Sequence, residues 1–422
     1  MLVMQEEKAK SDSVKKNTFS PIDLVFGHTF KFSDTASLRV IMPFGFNTVD
    51  GFLLGAKLKY QYKFADTTYL QLTGETHYGF SRTTLLGQGG IAYIYGEKLK
   101  RGTISLTGGK METQFNGNKP ISPLLNSVTS LFMQDNFMKL YQNEYVKFRW
   151  AKNVDTKWKV VLMGSFSTRT ELYNTTDFTF IKYHNRGYTD NAPVNEEAGN
   201  TGINPRIENS RMFLLQAKLE LKPWQKTVIR NGKKSLKNNS SPLIWLQLDQ
   251  GIFPDQEYVD FNKLQIGYQH FIKVKGQHRL RINAFAGASY TQANSFIDYN
   301  HFMGNQTPFV SADPANEYRM LSYYDHSTSS EFASVLVNYE FRKFLLSQIF
   351  MVRMTGLKEN VFANYLYTGY NDFNYMEMGY SLNNIFRVFR IEVVTNNIDT
   401  PFTNWAVRFG FTTNFSSSFS DK

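Results

Sequence analysis

The 422-residue chain has no cysteine, which excludes a disulfide framework and a thiolate metal site. Its formal net charge is +11, but the basic residues gather on no helix, which argues against nucleic acid as a partner. Mean hydropathy is −0.38, and no apolar run approaches the roughly 18 residues that a membrane helix needs. Yet aromatic content is 16%, and Phe and Tyr recur in short alternating segments. A barrel that faces lipid and lumen with alternate residues has this signature, because its average hydropathy stays low. The expected fold is all-β: a transmembrane antiparallel up-and-down β-barrel of about sixteen strands with long extracellular loops.

Residues 1–18 are polar and carry no basic stretch followed by an apolar one. They read as a tether from an upstream region that included the export signal. The barrel is expected over 19–415, with a polar tail at 416–422. The first spanning strand is Ser37–Asn47, where Pro43 marks a weak or free edge, since proline cannot donate to a ladder. Gly51–Phe64 is the clearest strand. Phe52, Leu54, Ala56, Leu58, Tyr60, Tyr62 and Phe64 share one face; Gly55, Lys57, Lys59, Gln61 and Lys63 share the other. The second face is too charged for a sandwich core, so it faces water.

The same reading gives strands at Thr68–Phe80, Thr84–Tyr95, Arg101–Lys110, Glu144–Lys152, Lys157–Arg169, Arg211–Lys222, Leu243–Gly251, Asn262–Lys273 and His278–Tyr290. After a long polar segment come Glu331–Phe344, Met351–Tyr367, Asn374–Asn383, Phe386–Val394 and Asn404–Phe415. Short connections (Ala65–Thr67, Glu97–Lys100, Asn153–Thr156, Val274–Gln277) alternate with long ones (Met111–Asn143, Thr170–Ser210, Thr291–Ser330). Periplasmic turns and extracellular loops segregate in this way. Pro223–Ser241 is the exception, a basic Asn/Ser-rich insertion on the short-turn side. Leu124, Leu125, Val128, Leu131 and Phe132 fall at helical spacing within the first long loop.

The long segment Ser295–Asp325 is expected to fold into the lumen as a plug or latch. Asp298, His301, Gly304, Asn305 and Thr307 are its candidate residues. His301 and His326, with Asp298, Asp313 and Asp325, have metal-ligand chemistry, but loop histidines most often make hydrogen bonds, and no metal is assigned. A basic lumen wall is expected from Lys57, Lys59, Lys63, Lys147, Arg149, Arg279 and Arg281. Glu75, Glu340, Glu377 and Glu392 read as its ion-pair partners rather than as catalytic carboxylates. No nucleophile elbow, phosphate loop or His-Glu-x-x-His occurs. No catalytic residue and no cofactor is therefore assigned.

Phe46-Asn47-Thr48-Val49-Asp50-Gly51-Phe52, His77-Tyr78-Gly79-Phe80-Ser81, Asn136-Phe137-Met138-Lys139-Leu140-Tyr141 and Leu172-Tyr173-Asn174-Thr175-Thr176-Asp177 are distinctive. So are Asp298–Thr307, Arg319-Met320-Leu321-Ser322-Tyr323-Tyr324 and Asn364-Tyr365-Leu366-Tyr367-Thr368. On these the chain resembles a Bacteroidota outer-membrane barrel family of unknown function that usually carries an N-terminal carboxypeptidase-regulatory-like domain. The stretch Arg408, Gly410, Phe411 and Phe415 resembles the C-terminal signal read by the outer-membrane assembly machinery, with Thr413 where an apolar residue is usual. More distantly, the chain is similar to BamA/TamA-type assembly barrels. Their sixth extracellular loop enters the lumen with an Arg-Gly-aromatic tip, and five strands follow it. Here the tip is Met303-Gly304-Asn305, with no Arg before the Gly.

These resemblances imply outer-membrane lipids and the assembly machinery as partners, with periplasmic or surface proteins as further ones. Three functions compete. One is an assembly or translocation barrel with a weak seam between Ser37–Asn47 and Asn404–Phe415. Another is a passive channel for anionic solutes. The third is a surface scaffold that binds partner proteins through its long loops. An enzyme has no motif behind it.

Overall fold

The computed structural model describes residues 25, 27–198, 209–230, 232–237, 241–254, 260–274, 278–289, 295–310, 313–398 and 404–411. The expected tether, the tail and Phe415 lie outside them. The strands are β1 (His28–Lys31), β2 (Ala36–Ile41), β3 (Phe44–Asn47), β4 (Gly51–Ala65), β5 (Thr68–Gly79), β6 (Thr84–Tyr95) and β7 (Gly102–Gln114). Then follow β8 (Leu140–Asn153), β9 (Trp158–Thr170), β10 (Ser210–Leu221), β11 (Thr227–Arg230), β12 (Lys233–Leu236), β13 (Leu243–Ile252), β14 (Phe261–Val274) and β15 (His278–Ser289). The last five are β16 (Phe332–Phe341), β17 (Lys358–Thr368), β18 (Phe373–Ile385), β19 (Phe389–Asn396) and β20 (Asn404–Phe411). Two short helices are α1 (Pro123–Val128) and α2 (Phe350–Met354).

From β4 to β20, each strand pairs antiparallel with the next, β11 and β12 excepted. That pair is a separate hairpin inside the basic insertion. β2 and β3 lie in succession along β4, broken at Met42–Pro43. The break is local: Pro43 has no N–H to give, but its carbonyl accepts from Gly55 N at 2.9 Å, so β4 runs on unbroken. The sheet has 18 strands, including short β1 on the outer side of β2. Among the described residues no ladder joins β20 to β1, β2 or β3, so the expected sixteen-strand closure is not part of the hydrogen-bonded sheet.

Alternation along the strands gives the sheet two different faces. Phe52, Leu54, Leu58, Tyr62 and Phe64 are exposed on the outside, and so are Trp158, Leu162, Phe166, Phe213, Leu215 and Leu219 further round. This continuous apolar belt faces lipid. The inner face carries the polar set and curls round the long segment after β15. That segment touches β9 through Arg169, β14 through Gln265, β18 through Glu377 and β20 through Arg408. One loop reaches strands so far apart only if the sheet wraps around it.

Two expected strands are broken, and Ser37–Asn47 is the first, split into β2 and β3 at Met42–Pro43. Met351–Tyr367 is not one strand: residues 350–354 are α2, and β17 begins only at Lys358. A short apolar run is ambiguous between helix and strand by pattern alone, and Gly356, at φ +79°, separates the two here. The last strand is described as far as Phe411, and its expected end at Phe415 lies outside the described residues. The helix expected from Leu124 to Phe132 is present. Ser122 caps it by accepting from Leu125 N at 3.2 Å, Pro123 starts it, and a π-type turn follows at Thr129–Met133.

Candidate functional site

The segment between β15 and β16 is held in the lumen by a polar hub at Asn305. Its backbone N–H donates to Leu321 O (2.8 Å), tying the inbound limb to the return limb. Its side-chain nitrogen donates to Glu317 Oε1 (2.5 Å) and Phe309 O (3.1 Å). Its side-chain oxygen accepts from Thr307 N and Oγ1, both at 2.8 Å. Both residues are buried, so each bond is made away from competing water. Gly304 lies where the two limbs touch. A Cβ there would sit 2.4 Å from Ser322 O and 2.5 Å from Leu321 O. Only glycine allows that approach.

The loop is fastened to the wall at several points. Asp298 makes a two-pronged ion pair with Arg169 of β9, at 2.7 and 2.9 Å. Asn118 donates to His301 O (2.9 Å), and Asn116 to Phe302 O (2.6 Å). Asn195 donates to Tyr324 O, Asp325 O and Ser327 O. Thus the first two long loops close over the third. Beneath them Phe296, Tyr299, Tyr323 and Tyr324 join Phe115, Ile121, Met138 and Tyr141 in one buried cluster. A second cluster sets Phe302, Tyr318 and Leu321 against Phe332, Leu336, Leu366 and Tyr375 of the wall.

His301 shares a hydrogen bond with Ser327 Oγ through Nδ1 (2.8 Å). Burial pushes its imidazole down to about 3, and the nearby Lys263 ammonium adds to the shift. Above pH 6.5 the ring is neutral whether the loop is docked or free. Between 6.5 and about 3 only the free loop takes up the proton, so docking weakens as pH falls through that window. Hydrogen exchange over residues 296–307 should therefore be faster at pH 4.5 than at pH 7.5 relative to the strands. His301→Gln should flatten that difference.

The return limb carries the guanidinium of Arg319, which belongs to one of the distinctive stretches but has no role assigned by the resemblance. Arg319 is buried, with Nε 3.6 Å from Glu392 Oε2 and its plane 4.1 Å from the centre of the Phe362 ring. Its backbone N–H donates to both Glu377 oxygens (2.7 and 2.9 Å), and Met320 N donates to the second (2.9 Å). Asn364 and Tyr375 complete the Glu377 shell, each at 2.7 Å. Arg390 pairs with Glu392. The cluster balances Arg319, Arg390 and Arg408 against Glu317, Glu377 and Glu392, all buried. The signal sought was an Arg just before the tip glycine; here the Arg stands fifteen positions after it, in the limb that returns.

Arg408 and Gly410 serve the same contact. Arg408 is 2% exposed and donates to Arg319 O and Phe309 O. Gly410 leaves room for Val310, whose Cβ lies 2.7 Å from where a side chain would start. Pro308–Val310 forms a parallel bridge on β20. Val310 N donates to Phe409 O (2.7 Å), and Phe409 N donates to Pro308 O (3.0 Å). Phe409 pairs with Ile391 of β19 on its other side. The loop therefore occupies the outer edge of the last strand. Of Phe411 only the backbone, paired with Phe389, is described.

The outer edge of the first strand is covered as well. Ser127 Oγ of α1 accepts from Phe46 N (2.9 Å), and its one proton is shared between Pro123 O of its own helix (2.8 Å) and Phe46 O (3.1 Å). The hydroxyl thereby satisfies the Phe46 N–H that a neighbouring strand would otherwise bind. Further along, β1 pairs with β2.

The expected basic wall is mostly spoken for. Lys57 pairs with Glu75 (2.6 Å), Arg279 with Glu340 (3.4 Å) and Arg281 with Asp313 (3.4 Å). Lys147 lies over the Tyr145 ring at 5.5 Å. Lys59 sits opposite Thr73 on β4, Lys63 is exposed near the end of the same strand, and Arg149 lies opposite Ser105 on β8.

Comparison with known proteins places a match to the C-terminal domain of a family of unknown function (DUF5686) over residues 22–382. No curated protein matches. Among solved structures, CdiB from Acinetobacter baumannii aligns with 8% identity and a TM-score of 0.41, covering 90% of this chain and 59% of that one. BamA from Haemophilus ducreyi lacking POTRA domains 1-3 aligns with 9% identity and a TM-score of 0.44, covering 96% and 76%. The copper transporter OprC aligns with 9% identity and a TM-score of 0.34, covering 88% and 65%.

Proposed function

The chain belongs to the DUF5686 family through that family's C-terminal domain, and from this premise we propose that it is a non-enzymatic outer-membrane barrel with a latched seam. Its task on this reading is the assembly or translocation of other outer-membrane proteins, or the organisation of a surface complex. The carrying observation is the pair of covered edges: Pro308–Val310 on β20 and Ser127 on β3. An unpaired strand edge is a template for another strand. Here each edge is held by a few bonds from the chain's own loops. Such bonds are worth about 1 kcal/mol net each, far less than a full ladder. A client strand could displace the loop and add to the sheet by its main chain.

The chemistry-bearing groups of the site support a structural role. Asp298, His301 and Glu377 hold the loop by hydrogen bonds, and Glu392 by its ion pair with Arg319. The paired bases of the wall give the channel reading no comparable support.

The test uses the absence of native cysteine. Phe309→Cys with Phe409→Cys should lock the loop to the last strand under oxidation. In cells that depend on the variant, folded barrels in the outer membrane, scored by heat-modifiable migration, should fall on oxidation and recover with reductant. Full function with the lock closed would refute seam opening.

A further inference from the structure

The β16–β17 connection is built unlike the other short turns. Its start is nailed down by Glu359, which is 0% exposed. One Glu359 oxygen accepts from Leu345 N (3.1 Å) and Leu346 N (2.9 Å), the other from Ser347 N (2.9 Å) and Ser347 Oγ. Tyr380 Oη also donates to it. Its far end is tied by Asn384, which donates to Gly356 O (3.3 Å). Between these ties Leu345, Leu346, Ile349, Phe350, Met351 and Met354 are exposed, Met351 by 80%.

Register fixes which side of the barrel this is. Glu359 lies opposite Phe341, and Val361 opposite Tyr339 and Tyr380. Val361 and Tyr365 are exposed in the lipid-facing row, whereas Phe362 and Leu366 are buried toward the loop. Glu359 belongs by alternation to the outer row. Phe344 continues that row by stacking on Phe341, ring centres 4.2 Å apart. The connection therefore folds back onto the outer wall and covers a carboxylate that would otherwise face lipid.

We propose that residues 345–354 are an interfacial anchor that inserts into the lipid leaflet at the short-turn end of the barrel. The apolar side chains continue the belt of β16 and β17. Arg342, Lys343 and Arg353 flank them with charge suited to lipid phosphates. Arg353 also lies over the Phe350 ring at 5.3 Å, which keeps its charge at the edge of the apolar patch. The segment is short and lies along the wall, so it rests in the interface rather than spanning the membrane.

The test places a single cysteine at Met351, and separately at Asp155 in the β8–β9 turn, with the barrel in nanodiscs of phosphatidylethanolamine and phosphatidylglycerol. Both faces are then open to reagent. Reaction of Met351→Cys with a charged maleimide should be at least about tenfold slower than that of Asp155→Cys, as expected for a side chain below the headgroups. A bimane at 351 should be quenched by lipid brominated on its acyl chains, and one at 155 should not. Equal reactivity with no quenching would overturn the proposal. So would a position open in nanodiscs but shielded in native membranes, which would assign the patch to a protein partner. Phe350→Asp with Met351→Asp should abolish the quenching of a bimane at Leu345 while leaving heat-modifiable migration intact. Unchanged quenching in that variant would also overturn the anchor.

Discussion

Glu377→Ala should release the luminal loop while leaving the strands folded. The carboxylate is 0% exposed and accepts from Arg319 N, Met320 N, Asn364 Nδ2 and Tyr375 Oη. Alanine would strand these donors in a dry site and remove one of three carboxylates that balance three guanidinium groups. Breaking a buried charged contact in this way costs about 3–5 kcal/mol. Glu377→Gln should be nearly as severe, because its amide nitrogen would face donors. The matched control is Glu340→Gln, whose partners Lys358 and Arg279 are partly exposed. Pairs of that kind contribute about 0–1 kcal/mol. Limited proteolysis between Phe302 and Tyr324 should separate the variants: rapid cleavage for Glu377→Ala, near wild-type for Glu340→Gln. Equal protection of both would contradict the assignment of Glu377 as an anchor of the loop.

Gly304→Val should have the second large effect, by geometry alone. The first added carbon would lie 2.5 Å or less from two backbone oxygens, which cannot swing aside as a side chain would. Overpacking in a well-filled site costs about 1–3 kcal/mol, and fixed backbone neighbours place this change at the upper end. Gly117 has nothing within 4 Å of its added carbon, so Gly117→Ala should be tolerated. Loop cleavage rates should rise for the first and stay level for the second. If Gly304→Val behaved like the control, the close approach of the two limbs would be wrong.

The legible and illegible parts of the site differ by range. Gly304, Asn305 and Thr307 are legible because they sit together in a polar stretch with no strand pattern, bounded by strands of clear alternation. The same alternation makes the outward belt readable from β4 onward, whereas Pro43 reads only as a weak or free edge within one strand, and its splitting of Ser37–Asn47 into β2 and β3 is not legible. The role of Arg319 is not legible because its partners Glu377 and Glu392 come from two later strands, and their pairing with the loop does not follow from spacing. Ser127 was missed for the same reason: it reaches across 81 positions to a strand edge. Arg408 and Gly410 were read as part of a terminal signal. Their side of the strand was visible in the alternation, but the loop they hold was not. Residues 351–354 read as the start of a strand because a short apolar-rich run fits either period.

The central claim is that the outer edge of β20 is occupied by Pro308–Val310 rather than by the first strand. Disulfide formation in native membranes tests this directly, in two double variants of the cysteine-free chain. One carries Phe309→Cys with Phe409→Cys, the other Phe44→Cys with Val407→Cys, since Phe44 lies on β3, beyond the stretch of β2 that β1 covers. The account predicts a rapid, near-complete bond in the first pair and little in the second. A bond confined to the second pair would show a sealed seam and contradict it.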